Sequence, residues 1–228
     1  MKEYYTMRTV DERTMPLAQD SPMQSGQEYV LRVRGLTKVY GNARAQTAAQ
    51  ALNGIDLEVH QGEFISIMGP SGSGKTTLLN LLAGLDQPTS GEMWLQGKNM
   101  AALSADQLAL FRRRSLGFVF QDFNLLDTLT LGENVALPLS LDGQKSREIR
   151  QRVEQMMEFL GIAPYMGRYP YEVSGGQQQR AAVARAVVHN PLLLLADEPT
   201  GNLDSASASR KSRYFIVPLR RKNATMTC

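Results

Sequence analysis

The first folded stretch of the chain alternates apolar and polar positions. The alternation covers residues 30–33 and 36–41 and returns over 52–59, which predicts β-strands, the first of them at a sheet edge. A short apolar run at 116–120 predicts a buried strand. The run at 192–196 is wholly apolar and predicts a strand buried on both faces, as in a parallel sheet.

Several stretches between these strands have apolar residues at helical spacing. Ser104 fits an N-cap position, Pro138 predicts a kinked or short helix, and Gly161 ends another helix. Helices are predicted over residues 77–83, 104–114, 132–141, 146–160 and 177–189. At 228 residues the chain suits one α/β domain with an inserted lobe, or two small domains.

Composition indicates a soluble globular protein of a reducing compartment. Hydrophobic residues make up 43% and charged residues 21%, and no apolar run approaches the roughly 20 residues of a membrane span. Cys228 is the only cysteine, so no intramolecular disulfide is possible. The net charge of +3 arises from residues 209–228, which hold six basic residues and no acidic one.

A glycine-rich loop lies between a strand-like run, residues 63–68, and the predicted helix at 77–83. It reads Gly69-Pro70-Ser71-Gly72-Ser73-Gly74-Lys75-Thr76-Thr77 and matches the phosphate-loop pattern Gly-x4-Gly-Lys-[Ser/Thr]. Glycines let several backbone N–H groups point at one anion, and the helix start adds its positive dipole end. We expect Lys75 to reach the outer phosphates of a nucleotide and Thr76 to bind Mg²⁺. The alternative is a simple glycine turn.

Two adjacent carboxylates, Asp197 and Glu198, follow the apolar run at 192–196. The C-terminal end of a parallel strand faces the same sheet edge as the phosphate loop. Asp197 can hold Mg²⁺ through water, and Glu198 can orient and deprotonate an attacking water. Alone, the pair is better explained as a solvated strand end. Together with the phosphate loop it predicts a site of ATP hydrolysis.

A third motif, Ser174-Gly175-Gly176-Gln177, stands just before a predicted helix. Alone it is better explained as a glycine turn with Ser174 as N-cap, although a helix N-terminus can also bind an anion. The order and spacing of all three motifs resemble the ATP-binding subunits of ABC transporters over about residues 30–204. In that family this motif is the signature, and here Val173 replaces the usual leucine.

The resemblance implies a P-loop NTPase with a RecA-like parallel sheet core, an antiparallel β subdomain and an inserted helical subdomain at about 100–172. It implies that Tyr40 stacks on adenine, the alternative being a strand-end core tyrosine. Gln121 would touch Mg²⁺ and sense the membrane subunit. The run Arg112-Arg113-Arg114 is interpreted as a solvated face, and no nucleic-acid site is predicted.

The mechanism implied is a homodimer that sandwiches two ATP molecules, with each phosphate loop facing the signature of the other copy. Closure would drive separate integral membrane permease subunits, and hydrolysis would reset them. The chain would then be a peripheral bacterial protein on the cytoplasmic face of the inner (plasma) membrane. Phe123-Asn124-Leu125-Leu126 and Tyr169-Pro170-Tyr171-Glu172-Val173-Ser174 resemble bacitracin-type exporters, within a class that includes lipoprotein-release and macrolide-export ATPases.

The pattern breaks after residue 207. The family carries a histidine about thirty residues after the Asp-Glu pair, at the end of a central strand, and this chain has none after His189. Residues 214–219 follow too closely for a parallel crossover, and Pro218 suits no central strand. We therefore expect a mobile extension at 1–28, an ATP-binding domain at 29–208 whose core lacks its C-terminal part, and a tail at 209–228 produced by truncation or frameshift, with apolar sheet edges left exposed.

Two functions remain open from the sequence. One is the ATPase of a transporter that exports or releases an amphiphile. The other is an ATP-binding remnant that cannot hydrolyse ATP, since it lacks the histidine. A chromosome-maintenance ATPase would need long coiled coils, and the chain has no sustained heptads.

Overall fold

The computed structural model describes residues 6–9, 29–41, 48–197 and 212–219. Within these ranges the strands are β1 (Thr6–Thr9), β2 (Leu31–Tyr40), β3 (Ala49–Val59), β4 (Ile65–Gly69), β5 (Ser90–Leu95), β6 (Lys98–Asn99), β7 (Leu116–Val119), β8 (Leu193–Asp197) and β9 (Ser212–Pro218). The α-helices are α1 (Lys75–Leu82), α2 (Ala105–Ser115), α3 (Leu131–Leu141), α4 (Ser146–Phe159) and α5 (Gly175–Val187).

One sheet is antiparallel throughout and confirms the predicted β subdomain. Its strand order is β3-β2-β5-β6. The alternation read from the sequence holds in β2, where Leu31, Val33 and Leu36 are buried. The prediction that this first strand lies at an edge is wrong, because β2 pairs with β3 on one side and β5 on the other.

The second sheet carries the phosphate loop and the Asp197 strand, in the order β1-β4-β9-β8-β7. Strands β7 and β8 are parallel, with Val119 opposite Ala196. Strand β9 is antiparallel to both β4 and β8, so β4 and β8 run in the same direction. Because β7 is parallel to β8, it also runs in that direction. Helix α1 covers the sheet with its four leucines, each at most 1% exposed, in the main apolar core.

Strand β9 corrects the expectation that residues 214–219 could not enter the core. It lies between β4 and β8, with Ile216 opposite both Ile65 and Leu195. It runs antiparallel, so no helical crossover is needed and the argument from chain length fails. Pro218 pairs with Leu193 beyond the last β4 pair, so its missing N–H costs no hydrogen bond to β4. Among the described strands, β4 and β8 therefore have neighbours on both sides, and the expected exposed edges are absent there.

The N-terminal segment also differs from expectation at one place. Residues 6–9 form β1, which pairs antiparallel with β4 from Thr6 opposite Met68 to Thr9 opposite Ile65. A wholly mobile extension over 1–28 is therefore wrong for these four residues. The pairing gives the phosphate-loop strand its outer neighbour.

Helices α3, α4 and α5 enclose a second apolar core. Leu131, Val135, Met157 and Ala181 are each fully buried in it. Helix α3 begins at its Thr130 cap and continues through Pro138 to Leu141. Because α5 contributes to this core, the helical unit draws on residues beyond the predicted range 100–172.

The arginines of α2 are not simply a solvated face, which corrects the interpretation of that run. Arg112 donates to the Gly84 carbonyl (2.6 Å), Arg113 to the Leu141 carbonyl (2.7 Å), and Arg114 forms an ion pair with an aspartate at the end of α3 (2.6 Å). They tie α2 to the end of α1 and to the end of α3. No helix in the described ranges has the length and apolar character that crossing a membrane requires.

Candidate functional site

The phosphate loop joins β4 to α1, as the sequence predicts, and folds around the side chain of Lys75. This lysine is only 3% exposed. Its ammonium group donates to the carbonyl oxygens of Gly69 (3.1 Å) and Pro70 (2.6 Å) and to the Ser73 hydroxyl (3.1 Å). A cation is thereby held inside a loop of backbone N–H groups at the start of a helix, where anionic phosphate is favoured.

Two glycines give the loop its shape. Gly72 and Gly74 have φ values of +76° and +87°, in the left-handed region that favours glycine. A Cβ on Gly74 would lie less than 3.0 Å from the Ala51 carbonyl oxygen. The loop therefore packs directly on β3, and a cavity of about 380 Å³ lies between β3 and the loop, lined by residues 50–53 and 70–73.

The metal-binding residues predicted from sequence converge at one edge of the sheet. Gly69, Val119 and Asp197 end the three strands that run in the same direction, and Gln121 follows Val119 by two residues. Asp197 is half-buried and Thr76 is exposed in the first turn of α1. One strand separates β4 from β8, which corresponds to roughly 10 Å at the usual strand spacing. Glu198 lies outside the described residues.

Tyr40 stands at the end of β2, opposite Ala49 and so beside the strand segment that lines the cavity. The residue is 42% exposed, so it is not a buried core tyrosine. Its hydroxyl donates to Asp86 (2.8 Å), and the Lys38 ammonium lies 4.8 Å from the ring centroid. Lys38 also pairs with Asp86 at 2.7 Å, and this hydrogen bond is the main cause that lowers the pKa of the carboxyl. Adenine stacking on Tyr40 stays a prediction.

The signature motif begins α5, where the sequence places it. Ser174 is the N-cap residue, and its backbone N–H donates to the Gln177 side-chain oxygen (2.8 Å). Gly175 and Gly176 have no positive φ, and a Cβ built on either meets nothing within 4 Å among the residues that the structure describes. Packing against those residues therefore does not require glycine at either position.

Sequence reasoning missed Arg185 and the Lys38–Asp86 pair. Arg185 lies on α5 and donates to the carbonyls of Phe123 and Asn124, beside Gln121. One signal was available for Arg185, because an arginine interrupts a helix face of alanine and valine. The Lys38–Asp86 pair joins a residue of β2 to one 48 positions later and left no local signal.

Comparison with known proteins places these features in context. The sequence profile described as ABC transporter matches residues 52–201. The chain is 55% identical to the uncharacterized ABC transporter ATP-binding protein YvcR of Bacillus subtilis, over 86% of this chain and 76% of that protein. It is 47% identical to the bacitracin export ATP-binding protein BceA of Halalkalibacterium halodurans, over 79% and 70%.

A solved structure has the same architecture over most of the chain. The ATP-binding cassette MJ0796, a dimer in a post-hydrolysis state bound to ADP and Pi, superposes with a TM-score of 0.68 at 38% identity. The match covers 77% of this chain and 76% of that one.

Proposed function

Since this chain belongs to the ABC transporter family, whose ATP-binding members are ATPases coupled to transport, we propose that it is the ATP-binding and hydrolysing subunit of an exporter. The energy of ATP would power export or release through separate membrane subunits. The cargo class is a peptide antibiotic, a lipoprotein or a similar amphiphile, as the names of BceA and of the related lipoprotein-releasing protein LolD of Aquifex aeolicus suggest.

The observation that carries this proposal is the buried Lys75 inside the phosphate loop. A buried ammonium group is stable only with anionic or polar partners, and three loop oxygens accept hydrogen bonds from it. A bound phosphate would add anionic oxygens beside this buried positive charge. The exposed Thr76 and the loop N–H groups lie beside it at the start of α1. We assign Gly69 to Thr77 to phosphate binding and Tyr40 to the base.

The residues at the sheet edge fit Mg²⁺. Thr76, Gln121 and Asp197 offer a hydroxyl, an amide oxygen and a carboxylate, which are the hard oxygen ligands this ion prefers. Among the described residues no cluster of three or more His, Cys, Asp or Glu exists, as suits an ion held largely by substrate phosphates. When bound, Mg²⁺ neutralises charge on the phosphates. Glu198 would orient and deprotonate the attacking water, and Lys75 would stabilise charge on the phosphoryl oxygens.

The two signature glycines support a second copy of the chain as partner. Within the part of the chain that the structure describes, a Cβ added at Gly175 or Gly176 meets no atom within 4 Å, so these glycines leave space for a neighbouring molecule. In the proposed homodimer that neighbour is the nucleotide held by the other copy's phosphate loop. Gly176→Ala should leave thermal stability unchanged while it weakens ATP-dependent dimerisation, measured by sedimentation. Unchanged dimerisation would contradict this arrangement.

A groove of about 600 Å³ supports a membrane subunit as the second partner. It lies between α2, the end of α3 and β7, and its rim includes Leu110 and Leu141, which are 40% and 65% exposed. Arg185, which holds the loop next to Gln121, also lines it. A permease segment docked there would lie close to the proposed metal site, at the cytoplasmic face of the membrane. Leu141→Asp should abolish assembly with the permease and leave ATP binding intact.

The proposal is tested by Mg-ATP turnover of the purified full chain with its mass confirmed. Wild type should hydrolyse ATP, and Glu198→Gln should bind ATP but lose turnover by about 10²-fold or more. Lys75→Ala should weaken ATP binding by about 30-fold or more, because removing one partner of a buried charged pair costs about 2 kcal/mol or more. Wild-type binding without turnover, equal to that of Glu198→Gln, would reject hydrolysis.

That last outcome would support the second candidate, an ATP-binding chain that does not hydrolyse. The direction and sequence of β9 favour this second candidate. In the family the histidine ends the central strand, whereas here β9 occupies that position in the opposite direction and carries no histidine. Lys75→Ala would still lose binding in this case, so the two candidates differ only in turnover.

A further inference from the structure

The loop that carries Gln121 has an unusual backbone. It leaves β7 at Val119, and two successive residues, Phe123 (φ +59°) and Asn124 (φ +46°), lie in the left-handed region. A bulky aromatic residue rarely adopts that conformation, because its Cβ approaches the following carbonyl oxygen. Within the loop, Phe123 N–H donates to Phe120 (3.2 Å) and Asn124 N–H to Asp122 (2.6 Å). Contacts from outside must help to hold this shape.

The holding contact comes from Arg185. Its guanidinium donates one N–H to the Asn124 carbonyl (2.5 Å) and another to the Phe123 carbonyl (2.6 Å). Both bonded carbonyls belong to the two left-handed residues. The planar fork of arginine suits two neighbouring acceptors, which the single ammonium of lysine matches poorly. Burial lowers the pKa of Arg185, so the charge lies in a partly desolvated position where its hydrogen bonds are strong.

Helix α5 connects this contact to the signature. The helix starts at Gly175 and Arg185 lies ten residues on, which is roughly 15 Å along a rigid helix. The helix also lies close against β7, because a Cβ on Gly117 would be less than 3.0 Å from the Ala186 carbonyl oxygen. One end of α5 thus presents the signature, and the other fixes the loop that follows β7.

From this geometry we infer that Arg185 is a positioning residue that sets the conformation of the Gln121 loop and couples it to the signature helix. In this inference Arg185 contacts the loop carbonyls and not the nucleotide or metal, and it acts through Gln121. The inference rests on the proposed function for its consequence, the placement of Gln121 at the Mg²⁺-ATP site. Its structural part, the hold on the loop, is independent of that function.

The first test needs no activity. Arg185→Lys keeps the charge and loses the fork, and Arg152→Lys, an exposed arginine on α4, is the matched control. Amide hydrogen exchange at Phe123 and Asn124 should be at least about tenfold faster in Arg185→Lys and unchanged in the control. Equal exchange in both variants overturns the inference. Arg185→Gln, whose two N–H donors lie on a single uncharged nitrogen, replaces the lysine variant if thermal unfolding shows that the lysine variant does not fold.

The second test measures action through Gln121. The Mg²⁺-dependent gain in ATP affinity should fall about tenfold to a hundredfold in Arg185→Lys, the usual effect of losing a group that orients a metal ligand. In the Gln121→Ala background the same change should have no further effect. If Arg185→Lys and Gln121→Ala lower the Mg²⁺-dependent gain in ATP affinity independently and additively, the inferred coupling between the two residues is overturned. If wild type shows no Mg²⁺-dependent ATP binding, the proposed function fails, and hydrogen exchange still decides whether Arg185 holds the loop.

Discussion

Gly72 and Gly74 form a matched pair for testing the phosphate-loop geometry. Both have positive φ, so alanine at either position costs about 1–2 kcal/mol for the left-handed conformation. Among the described residues, a Cβ on Gly74 would clash with the Ala51 carbonyl and come within 3.0 Å of a Leu52 methyl group, whereas a Cβ on Gly72 meets nothing within 4 Å. The difference between the two variants isolates the clash with β3.

The clash involves backbone, so the strand or the loop must move. Overpacking of this kind costs about 1–3 kcal/mol, and we expect Gly74→Ala to be less stable than Gly72→Ala by that amount. For a chain of this size the gap corresponds to a difference in Tm of about 2–12 °C. Urea unfolding followed by circular dichroism measures the free energies, with equal m values as the check that both variants unfold from similar states.

The ATP affinities of the two variants should rank in the same order as their stabilities. The displaced loop no longer surrounds the Lys75 ammonium with its three oxygens, so Gly74→Ala should also bind ATP more weakly than Gly72→Ala. Equal unfolding free energies for the two variants would refute the packing of the loop on β3. Equal stability with unequal ATP affinity would refute the link between that packing and the site.

Three further predictions concern other parts of the fold. Gly117→Ala should lower the free energy of unfolding by about 1–3 kcal/mol, since its methyl group overlaps the Ala186 carbonyl. Asn134→Ala should cost about 2–4 kcal/mol, because this fully buried side chain bonds four backbone groups of residues 126–130, just before α3. The Lys38 hydrogen bond lowers the pKa of Asp86 below its ordinary 3.8, so the stability it contributes is present above about pH 4 and lost as pH falls further. Asp86→Asn should therefore flatten the acid side of the stability curve.

Each of these predictions has a control in the same chain. A Cβ on Gly167 meets nothing within 4 Å in the described part of the chain, so Gly167→Ala should unfold like wild type. An equal loss of stability in Gly117→Ala and Gly167→Ala would contradict the first prediction. Asn134→Asp keeps the acceptor for Leu126 N–H but turns a buried carboxylate toward three backbone carbonyl oxygens, so it should lose more stability than alanine. Lys38→Met should show the same dependence of stability on pH as Asp86→Asn. If wild type and both variants lose stability equally as pH falls below about 4, the third prediction is contradicted.

Local signals in the sequence predicted local structure well. The Ser104 cap is confirmed by its side chain, which accepts from Gln107 N–H, and the phosphate loop and signature lie at the predicted helix starts. These features depend on residues within one turn of each other. The family resemblance then supplied the two sheets and the helical unit.

What the sequence could not predict depends on contacts between distant segments. The direction of β9 was missed because strand polarity is set by pairing with β4 and β8, and the assumed parallel neighbour was only one of two possibilities. The role of Arg185 was missed because its two acceptors are backbone carbonyls some sixty residues earlier. Backbone acceptors are present in every sequence and therefore leave no pattern.

The polarity of β9 also limits how this chain could be re-engineered. The strand starts at Ser212 opposite Gly69, beside the phosphate loop, and Leu219 N–H bonds to the Leu192 carbonyl where β8 begins. Strand β9 therefore ends at the side of the sheet opposite the phosphate loop. A histidine substituted at Leu219 would lie at that opposite side, however well its spacing matched the family. A γ-phosphate sensor would have to be built into the segment that enters β9, or the strand would have to be replaced by one of opposite direction with its own crossover helix.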